Sequence, residues 1–462
     1  MTESVFLRCI DPGCHATLDV DSVVHGCPLC GGLVDVAYDW DRLPTPGAIT
    51  FFAERWGGRG RPLDLSGVWR FRELLPFARE EELVTIGEGQ TLLQTPDVRS
   101  LDLDLMPGRL GFQYEGLNPS GSFKDNGMAA AFTMARRLGR RLVACASTGN
   151  TSASMAMYAS LTRLPDGRPM RGIVFVGSGK IALGKLSQAL DYGAQTLQVD
   201  GDFDACMRRI REASDRLGLY LMNSVNPFRL EGQKTIMYRV LEGMSWEAPD
   251  WIVVPGGNLG NTSAFGKAFM ELQMLGLVSH IPRLAVVNAA GADTLCALFN
   301  DHGLRWNGGE WDRECVTAFY GKMDGAGVKA STIATAIEIA RPVNLAKALR
   351  SLDVMNGVVC RVTDDAILEE KARIGRTGFG CEPASAASLA GLRQLLSKGV
   401  IDRGSRVVCI LTGHALKDPD ATVMYHMGRE EGGAAAPPRR FSNSPVRVAD
   451  DPDAICRAIG QD

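Results

Sequence analysis

The 462-residue chain carries almost no net charge: 50 Lys and Arg against 53 Asp and Glu leave −3 at neutral pH, with a pI near 6.1. That balance argues against a nucleic-acid binder driven by phosphate neutralisation. No run of about 18 uncharged apolar residues occurs, which excludes a membrane-spanning helix. The opening residues MTESVFLRCIDPG lack a basic-then-apolar leader, so the chain reads as soluble and cytoplasmic, with no membrane partner. Internal repeats are absent as well. What the sequence does have is apolar residues, 45% of the total, enough for a large core and about two or three domains.

The 12 cysteines fall into two groups. Cys145, Cys206, Cys296, Cys315, Cys360, Cys381, Cys409 and Cys456 stand singly, several inside apolar runs such as RVVCILT and RLVACAS, and read as small buried hydrophobes in a reducing compartment. The remaining four form Cys9-x4-Cys14 and Cys27-x2-Cys30-Gly31-Gly32, which resembles a small zinc ribbon. Two pairs on tight turns can set four thiolates around one structural zinc, and too few apolar residues lie between them for an independent core. His15 and His25 are alternative ligands by residue type, but read better as surface histidines. Asp11, Asp19, Asp21 and Asp35 leave the segment little positive charge, which argues against a nucleic-acid role.

Four regions follow from the pattern: a ribbon-like segment over 1–38, an arm over 39–86, a body over 87–430, and a linker with a C-terminal helix over 431–462. The arm is polar and punctuated by Gly and Pro but carries Trp56, Trp69 and Phe71, so it is expected to pack over the body. In the body, LVACAS (142–147), GIVFVG (172–177), WIVVP (251–255), RLAVVNA (283–289), VVCRVT (358–363) and RVVCILT (406–412) read as buried parallel strands. Amphipathic stretches at 203–217, 262–275, 365–374 and 384–397 read as helices. The alternation predicts an α/β body of open, mostly parallel sheets with helices on both faces. A smaller lobe over roughly 136–222 is expected to close over a ligand. A Gly/Ala/Pro connector (428–440) and a short helix (451–460) end the chain.

Chemistry concentrates in three turns. Asn118-Pro119-Ser120-Gly121-Ser122-Phe123 delivers Lys124 to the first turn of a helix, where the positive end of the helix dipole is expected to lower its pKa towards the range that Schiff-base chemistry needs. Ser147-Thr148-Gly149-Asn150-Thr151-Ser152, after LVACA, offers hydroxyls and N–H groups to a carboxylate. Gly256-Gly257-Asn258-Leu259-Gly260-Asn261-Thr262, after WIVVP, offers a helix N-terminus to a phosphate. Neither loop has the G-x-x-x-x-G-K-[ST] or G-x-G-x-x-G spacing, which argues against nucleoside triphosphates and dinucleotides. A lysine, a carboxylate site and a phosphate site together suit pyridoxal phosphate carrying an amino acid.

The blocks NPSGSFKDNG, ASTGNTSAS, GKIALGKLSQALDYGA (179–194), NSVNPFRLEGQKT (223–235), VVPGGNLGN (253–261), TIATAIEIARPVN (332–344) and LTGHALKDPD (411–420) occur in the order in which the threonine synthase family carries them. The chain resembles that family, a branch of the fold-type II pyridoxal phosphate enzymes, from about residue 69 onwards. The resemblance implies an internal aldimine at Lys124, which would also shuttle protons. It implies that Asn150 would bond the pyridine hydroxyl, that Gly257, Asn258, Leu259, Gly260 and Asn261 would cradle the cofactor phosphate, and that Thr412 would meet the ring nitrogen. Ser147, Thr148, Asn150 and Thr151 would hold the substrate carboxylate; Asn223, Ser224 and Arg229 would hold its phosphate, Arg229 by a bidentate fork.

The activity implied is conversion of O-phospho-L-homoserine and water to L-threonine and phosphate. Alternatives are a paralogue performing β- or γ-replacement on another phosphorylated amino acid (cysteate synthase-like), a serine or threonine dehydratase, or a non-catalytic zinc-ribbon protein. A homo-oligomer is compatible with each. The chain departs from the family at Leu92, where proline is usual, at Asn126, where arginine is usual, at Ala415, where glycine is usual, and over 301–327, which is longer than a minimal connection. These departures are expected to lie near the site and to bear on substrate choice.

Overall fold

The computed structural model describes residues 4–177, 183–200, 210, 214, 216–428 and 439–460. Most of the helix expected over 203–217, the start of the 179–194 block, Cys206 and most of the 428–440 connector lie outside them.

The described strands form three sheets. The first contains β1 (Val5–Cys9), β2 (Thr17–Asp19) and β3 (Val34–Tyr38), all antiparallel, in the order β2-β1-β3. The second contains β4 (Leu93–Gln94), β5 (Leu110–Tyr114), β10 (Trp251–Pro255), β11 (Arg283–Ala289), β12 (Val358–Val362) and β13 (Val407–Leu411), in the order β12-β11-β10-β13-β5-β4. Only the β4–β5 edge pair is antiparallel. The third is wholly parallel: β6 (Leu142–Ala146), β7 (Arg171–Gly177), β8 (Gln195–Val199) and β9 (Tyr220–Leu221), in the order β8-β7-β6-β9. Strands such as VVCIL and WIVVP are buried at every position, as a parallel strand covered on both faces requires.

Helices begin where the sequence supplies caps. Pro227 follows Asn226, whose side chain accepts from Phe228 N at 3.0 Å. Thr363 and Asp312 cap their helices in the same way. Helix Lys124–Arg137 is a run of small residues buried from Asp125 to Ala135, which lets helix Pro227–Gly243 approach closely. A β-carbon on Gly232 would lie 2.0 Å from Asn126 O, so the crossing needs glycine there.

The arm does pack on the body: Trp69, Phe71 and Phe77 are buried, Trp56 Nε1 donates to Glu242 Oε1 at 2.6 Å, and Arg70 reaches the same carboxylate at 2.8 Å. The first sheet docks through buried charge. Asp35 on β3 meets Lys347 Nζ at 2.8 Å and Arg350 at 2.6 Å, while Lys347 also donates to Val34 O at 2.7 Å. The long stretch 301–327 packs against this ribbon rather than the predicted site: Gly309 is pressed against Pro12, and Arg313 pairs with Asp11.

Among the single cysteines, Cys145, Cys296, Cys360, Cys381 and Cys409 are buried as expected, but Cys315 is only partly covered and Cys456 is exposed. Both sit on surface helices, Arg313–Gly325 and Pro452–Ile459, which bury one residue or none. Among the described residues, no helix is long and apolar enough to cross a membrane.

Candidate active site

Parallel pairing brings the chemically interesting turns together. Strands β5, β13 and β10 lie side by side and run the same way, so their carboxyl ends open on one edge. From β5 the chain passes to Lys124, from β13 to Thr412, and from β10 to Gly256–Asn261. Backbone bonds stitch the first two: Phe123 N donates to Thr412 O at 2.9 Å and His414 N to Gly121 O at 2.9 Å. In the third sheet, β6 delivers Ser147–Asn150 to the same place, since Asn150 shares an acceptor with Thr412.

Lys124 opens its helix, and its pKa falls to about 7. Burial is the larger cause and the nearby Arg229 guanidinium the next, with Glu382 opposing both. The direction is the expected one, and desolvation and a like charge carry it. Arg229, 1% exposed, donates from Nη1 to Met222 O at 2.8 Å. Its Nε and Nη2 are buried with no partner among the described residues, and burial lowers its pKa to about 10. A sealed guanidinium with two open donors is costly unless an anion completes it.

The β10 loop suits a phosphate. Helix Gly260–Met274 starts from Leu259 in the left-handed region (φ 62°) with no side-chain cap, leaving its first N–H groups open. A β-carbon on Gly257 would lie 2.9 Å from Ile337 Cα, so only glycine fits the cradle. Asn258 Oδ1 is taken by Val343 N at 3.1 Å, and Asn344 bonds both Asn258 O and Ser224 O. Asn261 Oδ1 is buried and unpaired among the described residues.

Of the other expected residues, Asn150 and Thr412 converge on one carboxylate. Asn150 Nδ2 donates to Glu382 Oε2 at 2.8 Å and Thr412 Oγ1 to Glu382 Oε1 at 3.0 Å. Ser147 Oγ accepts from Gly149 N at 3.2 Å, while Thr148 is exposed and Thr151 half-buried at the mouth. Asn223 exchanges two bonds of 3.1 Å with the backbone of Ala146 and so holds the end of β6, with Ser224 half-buried beside it. Lys417 Nζ donates to Ser120 O at 3.1 Å and also bonds Gln188, tying the lysine turn to helix Leu183–Asp191.

Glu382 was not singled out from the sequence. It lies in GCEPASAAS, just ahead of a helix whose apolar period draws attention to packing. The signal was a carboxylate directly before Pro383, at a strand-edge turn. Three of the departures from the family pattern sit outside this cluster: 301–327 lies on the ribbon, Leu92 is exposed, and Asn126 is wholly buried on the far side of the lysine helix. Lys234 of EGQKT is likewise remote, fully buried between Glu231 and Glu271.

A second cluster lies in the ribbon. The Sγ atoms of Cys9, Cys14, Cys27 and Cys30 all fall within 4.8 Å of one another, with Cys9–Cys30 at 3.5 Å and Cys14–Cys27 at 3.6 Å. Tetrahedral zinc with thiolates at about 2.3 Å needs sulfurs about 3.8 Å apart, which this group fits. His15 is exposed, and His25 faces Ser214 at 3.3 Å.

The profile of the family described as "Pyridoxal-phosphate dependent enzyme" matches residues 85–413. Threonine synthase of Methanocaldococcus jannaschii is 37% identical over 98% of this chain and 98% of its own. That of Methanosarcina acetivorans is 38% identical over 90% and 93%. Among solved structures, threonine synthase from Escherichia coli shares the fold, with a TM-score of 0.61 at 19% identity over 90% of each chain. Maize serine racemase shares it with a TM-score of 0.52 at 18% identity over 70% of this chain and 88% of its own.

Proposed function

The chain belongs to the pyridoxal-phosphate-dependent enzymes and, within them, to the threonine synthases, and we propose that the cluster around Lys124 and Arg229 converts O-phospho-L-homoserine and water to L-threonine and phosphate. The observation that carries the site assignment is Arg229: a sealed guanidinium with two unpartnered donors beside an amine whose pKa is about 7. A phosphorylated amino acid supplies the missing anion and sets its carbon chain against that amine.

Lys124 holds the cofactor. Gly257, Asn258, Leu259, Gly260 and Asn261 take its phosphate at the open helix N-terminus, and Asn150 and Thr412 take the ring. Pyridoxal phosphate, when bound, supplies the electron sink that makes proton loss from the α and β carbons accessible. Ser147, Thr148, Asn150 and Thr151 orient the substrate carboxylate. Arg229 grips the γ-phosphate with Nε and Nη2, and Asn223 and Ser224 shape the wall beside it. Lys124 Nζ, neutral near physiological pH, accepts the α proton, hands that proton back to the conjugated framework and so regains its lone pair, then accepts a β proton, and returns protons after phosphate has left and water has added. Positioning by the two anion clamps is the main contribution of the remaining residues.

The segment 136–222 acts as the smaller lobe, closing to keep water out until the addition step. Lys417, which joins Ser120 to Gln188, stands where that closure is felt. The four ribbon thiolates hold one structural zinc. Thiols kept free in the core at Cys145, Cys381 and Cys409 suit a reducing, cytoplasmic setting.

The test is direct. Protein loaded with pyridoxal phosphate and given O-phospho-L-homoserine should release phosphate and threonine in equal amounts. Phosphate with 2-oxobutyrate would move the reading to a dehydratase, and no phosphate release would overturn it.

A further inference from the structure

Glu382 precedes helix Pro383–Ser397 and is 3% exposed, yet its side chain does not cap that helix. It lies instead between Asn150 and Thr412, one oxygen on each. The backbone fixes it there. Glu382 N donates to Gly413 O at 3.0 Å, and a β-carbon on Gly413 would lie 2.7 Å from the carboxyl carbon and from Oε1. The glycine after Thr412 therefore makes the room that the carboxylate occupies. Ser385 Oγ lies 3.0 Å from Thr412 Oγ1 and accepts from Gly413 N at 3.0 Å. The Thr412 hydroxyl is thus held from two sides.

A hydroxyl has one proton to give, and its direction decides what else the oxygen can do. With Glu382 ionised, Thr412 donates to Oε1, and its lone pairs can only accept. We propose that Glu382 is a positioning residue that sets, through the Thr412 hydroxyl, whether the pyridine nitrogen of the bound cofactor carries a proton. This rests on the reading of Thr412 as the partner of that nitrogen.

The two states differ by one proton. In the first, Glu382 is a carboxylate, Thr412 O–H points to it, and the ring nitrogen must bring its own N–H to Thr412. In the second, Glu382 is protonated and donates to Thr412 Oγ1, whose own O–H turns to an unprotonated ring nitrogen. Between them the ring proton passes to the Thr412 oxygen while the Thr412 proton passes to Glu382 Oε1. Only N–H and O–H bonds change, and no electron is transferred. Burial raises the Glu382 pKa, and Asn150, Thr412, Lys417 and Lys124 oppose that rise only in part. The Cys381 thiol is buried next to it. A protonated ring nitrogen is the stronger electron sink, so the pair governs how easily the amine of Lys124 can take each proton.

Glu382→Gln mimics the protonated form. Asn150 Nδ2 needs an oxygen opposite it, which leaves the new amide N–H to donate to Thr412. Parent, Glu382→Gln, Thr412→Val and the double variant are loaded with ring-nitrogen-labelled pyridoxal phosphate. Uptake is followed by fluorescence titration, and the ring nitrogen resonance is read by NMR across pH. In Glu382→Gln the resonance should move to its unprotonated position with the cofactor still bound, and in the Thr412→Val background the same change should have no effect. If the Gln variant cannot be loaded, Glu382→Asp, which withdraws the carboxylate, should move the resonance the same way. A resonance indifferent to position 382, or one that still responds after Thr412→Val, overturns the proposal. Threonine formation with a silent resonance sinks this relay alone, whereas failure to take up the cofactor at all overturns the site reading with it.

Discussion

Arg239 donates from Nη2 to Glu115 Oε1 at 2.8 Å and to Asn126 Oδ1 at 3.1 Å, and all three side chains are sealed from solvent. Asn126 Nδ2 completes the set by donating to Glu115 Oε2 at 2.7 Å. Burial pushes the Glu115 carboxyl up, but Arg239 and the Gln113 and Asn126 amides hold it below its ordinary value. The cation beside Glu115 comes from helix Pro227–Gly243, and Asn126 answers it with an amide. Asn126 therefore serves as the neutral hydrogen-bonding partner of a buried ion pair.

Asn126→Arg should therefore be severely destabilising, because a second guanidinium would share one buried carboxylate. Breaking the balance of a buried pair costs about 3–5 kcal/mol. Adding Arg239→Leu should recover much of that loss. Denaturant unfolding of the single and double variants checks it, and an Asn126→Arg protein as stable as the parent would refute this account of the buried charge balance.

Lys124 makes the stability of the cofactor-free protein depend on pH. Its folded pKa, about 7, lies below the ordinary 10.5. Between those values the unfolded chain binds more protons, so stability rises with pH there and the full penalty applies below the lower value. Lys124→Met removes that dependence. The variant should exceed the cofactor-free parent by up to about 4 kcal/mol near neutrality, since each pH unit between the two values is worth roughly 1.4 kcal/mol, with the gap closing in alkali. Unfolding midpoints measured across that range would show a pH-independent gap if the amine were not held neutral by burial.

Much of this was legible in the sequence because continuous apolar strands and glycine-rich turns are local signals. All six strands read from β-branched runs exist, and the turns carrying Lys124, Asn150 and Gly257 lie at strand ends. Strand β5 was hidden because LGFQY interrupts its apolar run with Gly111 and Gln113. Gln113 is fully buried and bonded to Thr91 and Glu115, and a β-carbon on Gly111 would crowd Leu93. Strands β8 and β9 are too exposed or too short to show a period. Contacts that join distant segments were illegible in principle. Nothing local says that Glu382 meets Asn150, 232 residues away, or that Lys234 of EGQKT neutralises two glutamates instead of a ligand.

Arg229 should be worth far more to the phosphorylated substrate than to the fold. Arg229→Met removes the free guanidinium edge, and two charge-assisted hydrogen bonds at about 1.5–3 kcal/mol each predict a roughly 10²–10⁴-fold fall in kcat/KM. It also removes the cation that depresses the Lys124 pKa, so the amine should titrate above about 7 in the variant. Steady-state kinetics and the pH dependence of cofactor attachment read the two effects separately. An unchanged kcat/KM would place the substrate phosphate elsewhere.

For the ribbon, purified protein should carry close to one zinc per chain, and Cys9→Ser should lose most of it. Because the segment has few apolar residues of its own, metal loss should loosen its antiparallel sheet and the Asp35 contacts to Lys347 and Arg350. Metal analysis with protease digestion is the check, with cleavage expected first between β1 and β3. Full zinc content in Cys9→Ser would remove Cys9 from the ligand set.

Gly257 offers the sharpest test of the phosphate cradle, because the neighbours of an added methyl are mainly backbone. Ile337 Cα would lie 2.9 Å away and Ala336 O 3.3 Å, and neither can rotate aside as a side-chain tip could. Gly257→Ala must therefore push the turn Thr335–Ile337 and the β10 loop apart, at a cost of about 1–3 kcal/mol typical of overpacking. The displaced loop carries the open N–H groups of helix Gly260–Met274, so cofactor affinity should fall by about 10- to 100-fold, more than the stability loss alone would produce. Gly375 supplies the contrast. It sits near the end of helix Asp364–Arg376 with open space around it, and alanine there should add about 0.5–1 kcal/mol of stability while leaving cofactor titration unchanged. If Gly257→Ala bound pyridoxal phosphate as tightly as the parent, the cofactor phosphate could not rest on this loop.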